Sequence, residues 1–87
     1  MLYRIMTEDI NRDSIIAIVA ELFESFTIIP AIGFYRGKPE NSIIIEIEDC
    51  GSNANRMVLN ISDHIRRRNK QHSVLVSKIE TESRSVL

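Results

Sequence analysis

Residues 26–50, FTIIPAIGFYRGKPENSIIIEIEDC, constrain this chain more than any other stretch. Two runs rich in β-branched and aromatic residues, 26–36 and 42–48, flank Gly37, Lys38, Pro39, Glu40 and Asn41. These are strand compositions around turn formers. Gly37 accepts a positive φ, Pro39 fixes its own, and Asn41 tolerates the left-handed region. The segment predicts a longer hairpin loop over 37–41 rather than a two-residue turn. In the second strand Ile43, Ile45 and Ile47 point to one face, and Ile44, Glu46 and Glu48 to the other. The first of these faces is fully apolar and is expected to carry helices. The first strand is apolar on both rows, with Phe26, Ile28, Ile32 and Phe34 against Ile29, Ala31 and Tyr35. Such a strand is either buried twice or used in an interface. Pro30 cannot donate to a ladder and marks an edge or a bulge, and Gly33 suggests a bulge or a close backbone approach.

Helical patterns lie on either side. Ile15, Ile18, Val19, Leu22 and Phe26 recur at three- and four-residue steps, so a helix is expected from Asn11 or Asp13, either of which can cap it, to Glu24. Ala54, Val58, Ile61 and Ile65 form the stripe of a second helix, capped by Ser52 or Asn53 and closing on Arg66, Arg67, Arg68, Asn69 and Lys70. Residues 2–7 read as a short first strand and 73–79 as the fourth. The order is β-α-β-β-α-β. With right-handed crossovers this predicts an α+β, ferredoxin-like sandwich: a four-stranded antiparallel sheet in order 4-1-3-2 with two helices on one face. Residues 1–80 form one expected domain and 81–87 a polar tail.

Composition narrows the function. A net charge of −1 gives no general attraction to nucleic acid or acidic membranes. A single cysteine excludes an internal disulfide framework. The longest apolar run of the first helix, 15–20, is too short to span a bilayer, and the N-terminus lacks a signal peptide's apolar region. A cytoplasmic protein with no membrane partner is therefore expected. Cys50, His64, His72, Asp49 and Asp63 have no metal-site spacing, so no metal or cofactor is expected. Cys50 has no assignable base. Glu46 and Glu48 share a strand face, but Arg4 on the neighbouring strand makes cross-strand ion pairing the simpler account. No aromatic lies on the third strand, which disfavours RNA binding through the sheet.

The topology gathers polar groups at the hairpin end, where the first strand exits, the first helix begins and the second helix finishes. Arg36, Lys38 and the arginine run offer charge, Tyr35 a stacking surface, and the free N–H groups of the first helix a dipole. The same residues also read as ordinary helix-end and hairpin charge.

Gly33, Phe34, Tyr35, Arg36 and Gly37, then Glu40 and Ser42, then Gln71 before the last strand, form a pattern. It resembles small proteins of phages and bacterial mobile elements, in which Trp often stands where this chain has Tyr35. The resemblance implies action on host defence, by sequestering a nucleotide signal or blocking a defence protein in the host cytoplasm. Tyr35, Arg36, Glu40 and Gln71 are the matching positions at the polar end. The expected function is non-enzymatic capture of a small anionic, nucleotide-like ligand by Tyr35, Arg36, Lys38, Glu40, Arg67 and Gln71, in a homodimer or higher oligomer. The alternative is an anti-CRISPR-like inhibitor or adaptor that meets a host defence protein through the open sheet face. Nucleic-acid contact through Arg66, Arg67 and Arg68 ranks behind both.

Overall fold

A computed structural model describes residues 1–48, 51–71 and 74–81. The elements are β1 (Leu2–Glu8), α1 (Arg12–Ala20), β2 (Thr27–Tyr35), β3 (Lys38–Glu48), α2 (Ala54–Arg68) and β4 (Leu75–Ile79). The sheet runs β2-β3-β1-β4 and every neighbour pair is antiparallel. This is the expected ferredoxin-like order, with Pro30 on an edge strand as its missing N–H requires. Asp49, Cys50, His72 and residues 82–87 of the expected tail lie outside the described residues. No described helix is long and apolar enough to cross a membrane.

Strand alternation builds the core. Ile43, Ile45 and Ile47 of β3 and Ile5 of β1 are fully buried beneath Ile15 and Val19 of α1 and Val58 and Ile65 of α2. Both helices therefore cover one face. On the other face the register aligns Ile29, Ile44, Met6 and Leu75 in one row across all four strands. The next row holds Arg4 Nε against Glu46 Oε2 at 2.6 Å, the expected cross-strand pair.

Two boundaries differ from expectation. The helix α1 ends at Ala20 rather than Glu24. Phe23 still packs into the core from the following turn, while Leu22 is left half-exposed. The hairpin loop is two residues, not five. Arg36 and Gly37 both have positive φ, 51° and 78°, the geometry of a type I′ turn that matches strand twist. Lys38, Pro39, Glu40 and Asn41 belong to β3 instead. Pro39 is tolerated there because β1 reaches only as far as Ser42, so the strand has β2 on one side only. The result is a two-stranded arm that overhangs the sheet by about four residues, or about 13 Å. It contributes to a longest dimension of 41 Å against 23 and 20 Å for the others.

Candidate functional site

The hairpin end of the sheet is tied together by polar contacts, beginning with the end of α2. Lys70 takes φ 54°, and Gln71 N–H reaches Arg66 O at 2.9 Å while Lys70 N–H reaches Arg67 O at 3.3 Å. This is a Schellman ending, with lysine where glycine is usual. It delivers Gln71 to the exit of β1. There Gln71 Nε2 donates to Thr7 Oγ1 at 2.6 Å, and Gln71 Oε1 accepts from Glu8 N–H at 3.3 Å. Thr7 is buried, so this bond satisfies a hydroxyl that has little access to water. The start of α1 is fixed alongside. Asn11 is left-handed and makes no side-chain cap; its Nδ2 donates to Asn69 Oδ1 at 3.2 Å. Asn69 Nδ2 donates to Ile10 O at 2.9 Å, and Arg68 Nε donates to Ser14 Oγ at 2.7 Å.

Beside Gln71 the carboxyls of Glu8 and Glu40 meet. Glu8 lies opposite Ser42 and Glu40 two residues further along β3, so both project from the helix-free face at the root of the arm. Partial burial, then the Glu40 charge, then the hydrogen bond between the two carboxyls hold the Glu8 pKa above its ordinary value. Among the described residues neither carboxyl makes an ion pair with a cation. Nearby, Asp9 forks onto Arg12, and the guanidinium's hydrogen bond holds the Asp9 carboxyl below its usual range. An open cleft of about 380 Å³ runs from Asp9 and Arg12 to Ala31, Ile32 and Asn41 at the arm's root.

Of the six residues singled out from sequence, Glu40 and Gln71 converge on this junction. Tyr35, Arg36 and Lys38 stand at the arm's tip. Arg36 Cζ lies 5.4 Å from the Tyr35 ring centroid, a cation–π contact within the turn. Lys38 pairs with Tyr35 across the strands, four residues from Ser42, so the tip stands about 13 Å beyond Glu8. Arg67 is turned away, with its Nε held by Asp63 Oδ2 at 3.0 Å. Asp63 also accepts from Arg66 at 2.8 Å, and these arginines lower its pKa. The six do not form one pocket within a single chain. The residue missed as a site member is Glu8. Its signal was available: β1 and β3 are antiparallel neighbours, and a carboxylate closing one faces a carboxylate near the start of the other.

No family model and no curated protein sequence matches the chain. Solved structures that share its fold include the following two. A phage SAM lyase in its apo state superposes with a TM-score of 0.67 at 22% identity, over 86% of this chain and 75% of that one. A DUF3240 family protein from Shewanella baltica OS155 superposes with a TM-score of 0.76 at 16% identity, over 99% and 93%. At these identities the likeness is one of fold.

Proposed function

We propose that this chain is a phage-type anti-defence protein that binds a small nucleoside-like ligand on the helix-free face, at the root of the hairpin arm. The observation that carries the reading is the Glu8–Glu40 pair. Two carboxyls from different strands are drawn together, left without a cation, and held from behind by Gln71. Such a pair suits a ligand bearing a positive or donor-rich group. It repels phosphate, and Asp63 occupies Arg67, so an anionic ligand is the weaker choice here. The Tyr35 ring, backed by Arg36, supplies a flat surface for a base. The phage neighbour's name points to the compound to try, S-adenosylmethionine, an adenosine carrying a sulfonium cation.

Turnover is the second reading. Two carboxyls that share one site have the arrangement of an acid–base pair. One experiment separates the readings. The protein is incubated with S-adenosylmethionine; melting is followed against ligand concentration, and the compound is quantified by chromatography. A saturable upward shift with the compound recovered intact supports sequestration. Loss of the compound supports catalysis. Glu40→Gln and Arg36→Ala should weaken either outcome. No shift and no loss with S-adenosylmethionine, adenosine or a nucleotide panel would end the proposal.

A further inference from the structure

Gly33 sits in the middle of the arm's helix-free face, and the fold gives little reason for a glycine there. Glycine inside a strand weakens it, and marks a bulge, a bend or a close approach by a ligand or another backbone. The register runs unbroken from Thr27 opposite Glu46 to Tyr35 opposite Lys38, with Gly33 opposite Glu40, so there is no bulge. Its φ lies outside the left-handed region. Close approach remains, and within the chain one side-chain atom supplies it. A Cβ on Gly33 would stand 3.1 Å from Ser42 Oγ, with Glu40 O and Ser42 Cβ next at 3.9 and 4.0 Å. That hydroxyl is weakly held, since its bond to Glu40 O is 3.4 Å long. Along β2 the neighbours of Gly33 on this face are Tyr35 and Ala31, each about 7 Å away. Glycine thus leaves a gap of about 13 Å between them in which β2 raises no side chain. The Glu40 side chain borders the gap from β3, and Tyr35, 63% exposed with Arg36 over its ring, closes the outer end.

We infer that Gly33 is the specificity-determining residue of the ligand site at the arm's root, the seat on which the ligand's planar ring rests. This deepens the ligand reading and rests on it. The bare backbone lets a ring lie between Tyr35 and Ala31 with its edge turned to the Glu40 carboxyl. An ionised carboxyl only accepts hydrogen bonds, so it selects a ring that presents an N–H on that edge, as the amino group of adenine does. A side chain at position 33 fills the gap and lifts the ring off the carboxyl. Glu8, one row nearer the body, is left for whatever positive group the ligand carries.

The test places Gly33→Val in a Ser42→Ala background, where the hydroxyl that a Cβ would meet is gone, and compares it with Ser42→Ala alone. Valine suits a strand, so the double variant should melt no lower than its background. Gly33→Ala takes its place if it does not fold. Titration calorimetry should show the double variant binding adenosine and S-adenosylmethionine at least about tenfold more weakly than its background. The parent should prefer adenosine by about tenfold over purine riboside, which lacks the amino group, and the double variant should lose that preference. Equal affinities in the double variant and its background overturn the inference and leave the glycine serving only Ser42, while the ligand reading stands. A loss confined to S-adenosylmethionine, or a preference for adenosine that survives in the double variant, also overturns it, because the ring then seats elsewhere. A parent that binds neither adenosine nor S-adenosylmethionine ends the ligand reading and this inference with it.

Discussion

Replacing Gln71 with alanine tests how the acidic junction is held. The side chain makes two hydrogen bonds, 2.6 Å to the buried Thr7 hydroxyl and 3.3 Å from Glu8 N–H. A net hydrogen bond contributes about 0.5–1.5 kcal/mol, so a short buried one and a long one together contribute about 2 kcal/mol. Unfolding entropy near 2.1 cal/mol/K per residue gives about 180 cal/mol/K for 87 residues. The midpoint should therefore fall by about 11 °C in a calorimetric melt. Thr7→Val removes the shorter bond from the other side. The double variant should then cost less than the two singles combined, by about 1 kcal/mol. A Gln71→Ala midpoint within about 3 °C of the parent, or strict additivity in the cycle, would refute the clamp.

Three further outcomes follow from named geometry. The folded chain holds the Glu8 proton more tightly than the unfolded chain, whose ordinary value is 4.5. That contribution is complete below 4.5 and is lost as pH rises through the raised value, so Glu8→Gln should melt above the parent near neutral pH and level with it in acid. A variant whose melting tracks the parent at every pH removes the pair from the account. Lys70→Gly should stabilise by about 0.5 kcal/mol, since a left-handed penalty of about 1–2 exceeds glycine's entropic cost of about 0.5–1. A lower denaturation midpoint would contradict the Schellman ending. Gly37→Ala should cost about 1 kcal/mol through its φ of 78°, with no steric part because nothing lies within 4 Å of an added Cβ; urea titration reads the difference.

How far the fold could be read without coordinates depends on which signals were redundant. The alternation of Ile43, Ile45 and Ile47 and the steps Ala54, Val58, Ile61 and Ile65 each bury a whole face, so a slip in either would expose it. Those elements and the strand order were legible. Turn length was not. Pro39, Glu40 and Asn41 have loop composition, yet they pair as a strand because the arm has a single neighbour and a proline there interrupts no second ladder. Helix α1 stops at Ala20 without a glycine or proline to announce it, because Phe23 gains more by turning into the core than by continuing the helical path. The turn also governs the candidate site. A five-residue loop would have kept Tyr35, Arg36 and Lys38 beside Gln71, whereas the two-residue turn makes strand of Lys38, Pro39, Glu40 and Asn41 and carries the tip beyond the sheet. That shift sets Tyr35 and Lys38 two rows beyond Glu8 on the helix-free face, with Glu40 in the row between. Glu40 therefore links the aromatic tip to the Glu8 carboxyl, and the site runs along one face of the arm instead of around a loop.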